Sequence, residues 1–332
     1  MDLRVLFKNS FGIDVRVFFD NGVVVEGRGF RVLVDPFKPF DESKYDAVLI
    51  THGHSDHVTR HIRRAFAVLT RETLQVLRVR YGVRPRKYVL AKPGDRLDLG
   101  KFFLHVLNAG HVPGSVMYLI ESRDGTVGLT GDFNPAGSNV VRGADAIEAD
   151  VLVMEATYGS RHYVFPPRER LYEEIAALAD RGEAPVAIRA GPLGKGQEMA
   201  RLLPGNRLYL EPKVAALNRA LGFPGGRELA RGIKPNPGEV VVLGLTSRPP
   251  PGSLLVELSG HYAVAKPEGA VGLPLSNHAD FPALLETALR SRAKRIYTVY
   301  GHVDELARWL NRLGLKASRI PPRGQTELTQ WL

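Results

Sequence analysis

The segment LITHGHSDHVTRH, Leu49 to His61, holds four of the chain's ten histidines and one aspartate, directly after an apolar run. Within it His52, His54, Asp56 and His57 make H-x-H-x-D-H. A sharp turn after a strand can aim His52 and His54 at one point and Asp56 and His57 at a second. Imidazole nitrogen with carboxylate oxygen suits Zn²⁺, with Mn²⁺ or Fe as other occupants. Two such ions about 3.5–4 Å apart hold a hydroxide and clamp a phosphate. The chain has no cysteine, so thiolate metal sites, disulfides and cysteine nucleophiles are excluded.

One loop supplies too few ligands for two ions. His111 in AGHVPGS, Asp132 in TGDF and His302 after RIYTVYG all stand at apparent strand ends. Loops on one edge of a sheet converge although far apart in sequence. Read singly, Asp132 also fits a turn and His111 a loop cap.

The elements that must position these groups change character along the chain. The first part reads as short strands at 4–7, 15–19, 22–27, 30–36 and 45–50, followed by KYVLA, FFLHVLN, SVMYLIE, TVGLTGD and VLVMEA. HVTRHIRRAF and RETLQVLRVR are its helix candidates. From residue 166 helices and strands alternate: PPRERLYEEIAALADRG begins with prolines and stops at glycine. Such alternation suggests a small doubly wound module. The tail returns as helix, strand and helix. The expected division is 1–159, an insertion at 160–265, and 266–332.

At 332 residues the chain has room for about two domains. Hydrophobic residues make up 44%, enough for a real core. No apolar run reaches the length of a membrane span, and MDLRVLFKNS has no signal-peptide core, so a soluble cytoplasmic protein is expected. Lys and Arg outnumber Asp and Glu by 45 to 35, a net charge of +10. That excess fits a polyanionic partner, nucleic acid first, or simply a solubilising charge. RVRYGVRPRKY at 78–88 interleaves Arg84, Arg86 and other cations with two tyrosines, which suits a nucleic-acid backbone or a solvated basic face. LGKG at 193–196 fails the phosphate-loop pattern, yet Lys195 at a helix start can meet a phosphate.

The ordered series Asp35-Pro36, THGHSDH, AGHVPGS, TGDF and a late histidine resembles the metallo-β-lactamase-fold hydrolases. MEATYG at 154–159, GPLGKGQEMARLL at 191–203 and LSNHADF at 275–281 are similar to motifs of the β-CASP nucleases within that fold, including archaeal mRNA 3′-end processing factors and bacterial ligase-associated exonucleases. The resemblance implies an αββα sandwich with an inserted β-CASP domain. It implies two Zn²⁺, one on His52, His54 and His111, the other on Asp56, His57 and His302, with Asp132 bridging. Asp35 would orient a ligand imidazole. A metal-bridging hydroxide would attack phosphorus, and His278, held by Glu155, would protonate the leaving oxygen. His278, Glu155 and Asp56 are thus the expected catalytic residues. The family usually has His-Gly after the last strand, where this chain reads Tyr300-Gly301-His302. A strand would put residues 300 and 302 on one face, so His302 is expected as the ligand, with a looser second metal or a lining tyrosine as the alternatives.

The expected activity is hydrolysis of single-stranded nucleic acid, RNA before DNA, in RNA processing or decay. DNA repair as an exonuclease is the first alternative, a catalytically weak binding scaffold the second. A thioester or lactam hydrolase is disfavoured by His278, the Gln-Glu helix and the basic charge. Processing or repair proteins are expected as partners.

Overall fold

The computed structural model describes residues 14–223 and 225–324. The strand expected at 4–7 lies outside the described residues. The chain first lays down a six-stranded sheet in sequential order: β1 (Arg16–Phe19), β2 (Val23–Gly27), β3 (Phe30–Val34), β4 (Ala47–Leu49), β5 (Phe66–Leu69) and β6 (Lys87–Leu90). β1, β2 and β3 pair antiparallel, while β3 to β6 run parallel. Helix α1 (Arg71–Tyr81) links β5 to β6. Thr70 caps its first turn, and Gly82 closes it in the left-handed conformation. HVTRHIRRAF is not a helix. Residues Arg60–Arg64 make a short 3₁₀ turn, and Phe66 begins a strand whose Ala67, Val68 and Leu69 are buried in the parallel sheet. Tertiary burial overrides local helical spacing there.

A second sheet is built from β7 (Arg96–Asp98), β8 (Phe103–Asn108), β9 (Val116–Ser122), β10 (Gly125–Leu129) and β11 (Val151–Glu155). The chain then leaves it for a third. That one comprises α2 (Arg168–Asp180), β12 (Val186–Arg189), α3 (Lys195–Leu202), β13 (Leu208–Leu210), α4 (Pro212–Leu221), β14 (Arg227–Glu228), β15 (Val240–Leu243), β16 (Leu254–Leu258) and β17 (Val271–Leu273). Its strands are all parallel, in the order β14-β13-β15-β12-β16-β17. The sheet therefore runs past the boundary expected at 265, and its last strand ends at Leu273. All three helices feed one core with Leu171, Ile175, Met199 and Val214, while the other face buries a smaller group around Ala187, Tyr209 and Val241. Finally α5 (Phe281–Arg290), β18 (Arg295–Val299), α6 (Val303–Arg312) and β19 (Ala317–Arg319) complete the second sheet in the order β19-β18-β11-β10-β9-β8-β7.

The first two sheets face each other across a core that includes Val25, Val32 and Leu49 from one and Leu104, Tyr118, Ile120 and Val153 from the other. α1 covers the outer face of the first with Leu74 and Leu77. α5 and α6 cover the second with Leu284, Leu306 and Leu310. This is an αββα sandwich. Tyr118 is fully buried, and its hydroxyl donates to the Ile50 and Val68 carbonyls at 3.0 and 3.2 Å, which ties β9 to the ends of β4 and β5. A small apolar group of Val76 on α1, Val112, Leu193 and Leu217 on α4 joins the sandwich to the third sheet's helices.

β8, β10, β11 and β18 share one direction, so their carboxyl ends lie on one edge of the second sheet. The chain turns off β10 at Gly131 (φ 52°), where a Cβ would stand 2.8 Å from the Thr51 side chain. Gly131→Ala combines left-handed strain with a buried clash. It is expected to cost about 2 kcal/mol, read as a lower urea midpoint at unchanged slope.

Candidate metal and acid–base site

The site grows from Asp35, which follows β3 in a left-handed backbone conformation (φ 52°) and is almost completely buried. One carboxylate oxygen accepts the Thr51 amide at 2.8 Å, and the other accepts the Thr51 hydroxyl at 2.5 Å and His57 Nδ1 at 2.8 Å. The Thr51 carbonyl accepts the Val116 amide at 2.9 Å, so β9 fixes the other side of the turn. With its Nδ1 proton given to Asp35, His57 turns its Nε2 toward Asp132 Oδ2, 3.3 Å away. Burial alone would lower the His57 pKa, but the Asp132 and Asp35 carboxylates outweigh it and raise it well above the usual imidazole value.

His52, His54, His111 and Asp132 converge in front of this turn, each offering one atom within 4.8 Å of the others. His52 Nε2 and His111 Nε2 lie 3.0 and 3.1 Å from His54 Nδ1. Asp132 Oδ2 lies 3.5 Å from His52 Nε2 and 3.7 Å from His111 Nε2. The edge of a tetrahedron with metal–nitrogen bonds of 2.0–2.1 Å is about 3.3 Å, so these four atoms have the spacing of one tetrahedral divalent site. The far side of His111 is set: its Nδ1 donates to the Asn277 carbonyl at 2.9 Å. Burial drives His52 and His111 well below the ordinary imidazole pKa and His54 down to about 4, so all three rings keep bare lone pairs at neutral pH. Asp132 stays ionised: burial opposes it, but the charges of His57 and His278 hold it well below the carboxylate range.

His278 stands beside this cluster, two residues before Asp280, the cap of α5. Its Nδ1 meets both oxygens of the fully buried Glu155, at 2.9 and 3.1 Å, and its Nε2 is 3.9 Å from Asp132 Oδ2. Burial works against protonation, but Glu155 and then Asp132 raise the His278 pKa to about 9. The Gln-Glu pair of α3 explains how the inserted sheet participates. Gln197 ties the Gly194 amide, the Pro192 carbonyl and Asn218 together at 2.7, 2.9 and 2.7 Å. Buried Glu198 holds the Asn277 amide, the Tyr172 hydroxyl and the Arg168 guanidinium, and Arg168 donates on to the Ser276 carbonyl. Residues 276–278 are thereby clamped from both sides.

Of the residues expected from sequence, Asp35, His52, His54, His57, His111, Asp132, Glu155 and His278 come together. Asp56 stands at the rim, 3.9 Å from His57 Nε2 with its side chain 77% exposed. His302 does not join them. Tyr300 and Gly301 both take left-handed backbone angles, 62° and 60°, so the strand ends and its alternation with it. His302 instead bonds the Ala156 carbonyl through its own amide at 2.7 Å, starts α6, and sets its ring 5.4 Å from that of Tyr163. Tyr300 takes the place beside His57, ring centroids 5.2 Å apart. The Tyr-Gly pair was the visible signal for this turn. Thr51, Asn277 and Arg168 carried no signal in the sequence.

Lys195 begins α3 and donates to the Leu258 carbonyl at 2.8 Å; burial lowers its pKa to about 8 against the pull of Glu198. It lies close enough to oppose protonation of His278. Arg84 and Arg86 are exposed and do not reach the cluster. Arg84 lies over the Tyr88 ring, and Arg86 directly precedes β6, at the amino end of a strand whose parallel neighbours carry the histidine turn at their carboxyl ends. His162 is exposed, whereas His261 contacts Tyr163 and Tyr158, next to His278.

Residues 15–156 match the family model described as a beta-lactamase superfamily domain. The chain is 29% identical over 304 residues to a "Probable DNA ligase" of Opitutus terrae, covering 84% of this chain and 29% of that protein. It is 26% identical to an "RNase J-like protein" of Methanocaldococcus jannaschii over 54% of this chain and 50% of that one. It is 30% identical to "Ribonuclease TTHA0252" of Thermus thermophilus over 42% of this chain and 38% of that one. The chain thus spans half or less of the length of these relatives. A solved structure, a protein of unknown function from Enterococcus faecalis, superposes with a TM-score of 0.67 at 15% identity, over 93% of this chain and 98% of that one, and shares the fold. The match to the beta-lactamase superfamily domain covers the part of the chain that carries the histidine turn, His111, Asp132 and Glu155. Among the described residues no helix is long and apolar enough to cross a membrane.

Because Asp35 satisfies three buried donors, Asp35→Ala leaves the Thr51 amide, the Thr51 hydroxyl and His57 Nδ1 without their acceptor. The expected loss is about 3 kcal/mol or more in chemical denaturation, well beyond the effect of Asp56→Ala at the solvated rim.

Proposed function

We propose that the chain hydrolyses phosphodiester bonds in single-stranded nucleic acid, with RNA as the preferred substrate. The observation that carries this reading is the placement of His278. Its Nδ1 is held by a buried carboxylate, and its Nε2 is directed toward the same Asp132 oxygen that completes the four-atom cluster. An acid beside a Lewis-acid site is what a poor alkoxide leaving group requires. Support for RNA comes from the relatives named as ribonucleases and from the net charge of +10. The long alignment with the ligase-named relative favours DNA as the second reading.

Divalent cations, with Zn²⁺ first and Mn²⁺ or Fe as alternatives, would supply positive charge for the phosphoryl oxygens and make water more acidic. His52, His54, His111 and Asp132 would hold one ion, while His57 and Asp56 would face the other side of Asp132. Asp35 accepts the Nδ1 proton of His57 and so turns Nε2 toward Asp132. Glu155 accepts the Nδ1 proton of His278 and favours the charged ring, so that a second proton sits on Nε2 and can pass to the departing oxygen. Asn277 and Glu198 hold His278 in register with His111. Lys195 and the first turn of α3 place positive charge where the inserted sheet faces the acid.

Equimolar end-labelled RNA and DNA oligonucleotides of one sequence provide the test, with Zn²⁺ or Mn²⁺ present. RNA should be cut faster. Cutting of DNA alone would transfer the reading to the DNA alternative, and cutting of neither would end it. His278→Ala should lower kcat by about 10²–10⁴-fold with the fold intact.

The acid form of His278 persists below a pKa of about 9, so the rate should fall as pH rises through that region. A cation on Asp132 offsets part of the charge that raises this pKa, so the limb of the loaded protein lies below about 9. The limb should vanish in His278→Ala.

A further inference from the structure

We infer that the cluster holds one divalent cation firmly and a second only weakly, because Tyr300 occupies the place of a ligand at the second position. The inference rests on the metal-site part of the reading above and not on the choice of substrate. The two positions are unequal in their donors. The first has three imidazole nitrogens and a carboxylate oxygen, all within 4.8 Å of one another. Three of those four side chains, His52, His111 and Asp132, are almost wholly buried. The second has His57 Nε2 and Asp132 Oδ2, 3.3 Å apart, and Asp132 is shared with the first position. Its third donor, Asp56, is 3.9 Å from His57 Nε2 on a side chain that is 77% exposed, so ordering it costs conformational freedom. Among the described residues Asp56, His57 and Asp132 do not draw together as the first four do.

An aromatic ring stands beside His57 at this second position. Tyr300 packs edge-on to His57 at 5.2 Å and 62°. Its other side rests on Phe19, with ring centroids 6.3 Å apart and planes at 84°. The ring is thus wedged between two aromatic neighbours. The backbone cannot exchange it for the nearby histidine. The left-handed pair Tyr300-Gly301 carries His302 to the Ala156 carbonyl, and a Cβ at Gly301 would stand 2.5 Å from that carbonyl oxygen. A neutral phenol is a weak donor to a divalent cation beside an imidazole. The loss of a mere outer partner of a metal ligand already costs 10–100-fold in affinity, so a missing ligand costs at least about as much.

The test is a metal count. The full chain is stripped with chelator, loaded with excess Zn²⁺, desalted, and analysed for zinc per chain. Calorimetric titration with Zn²⁺ gives the steps. The wild type should retain one zinc and show a second step at least about tenfold weaker. Tyr300→His should retain two, and Tyr300→Phe should retain one, since the hydroxyl is not a ligand. Asp56→Ala should keep the firm zinc, while His54→Ala should lose it. Two firmly held ions in the wild type would overturn the inference, as would one in a folded Tyr300→His or a changed count in Tyr300→Phe. No retained zinc in any form would remove the metal-site reading itself. Two in the wild type would leave that reading standing.

Discussion

Three imidazole nitrogens and one carboxylate oxygen converge at 3.0 to 3.7 Å in a buried turn. So many donor atoms at one point suit a cation among them, and the rest of the sandwich is arranged to hold them there. Two rings have their outward proton assigned elsewhere: His111 gives its own to a backbone carbonyl, and the neighbouring His57 gives its own to Asp35. Such outward bonds fix which lone pair faces inward and deny the rings the rotation that would relieve the crowding.

The sheets provide the rigidity. Every donor follows the carboxyl end of a strand, and those ends belong to two sheets locked by a shared apolar core. Strand ends buried on both faces move little, so the short loops beyond them inherit their precision. Glycines at 110 and 131 sharpen those loops. A Cβ at Gly110 would stand 2.3 Å from the Asn134 carbonyl, and the residue adopts φ 66°, so the turn that presents His111 tolerates only glycine.

Much of this was legible in the order of residues. H-x-H-x-D-H needs a turn, and the apolar run before it supplies the strand. His111 and Asp132 were found because each follows a recognisable apolar segment, and Glu155 and His278 through the resemblance of their stretches to nuclease motifs. What failed depended on backbone angles and on burial far along the chain. His302 was placed by extending strand alternation through Tyr300 and Gly301, but two consecutive left-handed residues cancel that rule. HVTRHIRRAF was read by local spacing, while its end is drawn into a parallel strand by Lys87–Leu90, twenty residues later. The basic run at 78–88 has a composition suited to nucleic acid, but composition does not say at which end of a strand it falls. The three-residue edge strands at Arg96–Asp98 and Val271–Leu273 are too short to announce themselves in any pattern.

Asn277 is a single residue with two obligations. Its carbonyl receives the proton of His111, and its amide is held by Glu198 from the inserted helix, while the next residue is His278. The His111 cluster, His278 and the inserted sheet are therefore wired through three consecutive positions. A shift of that sheet by even a fraction of an ångström would be transmitted to all of them at once, so the molecule has one alignment to keep rather than three. Whatever seats itself between the two bodies sets the register of the chemistry as it enters.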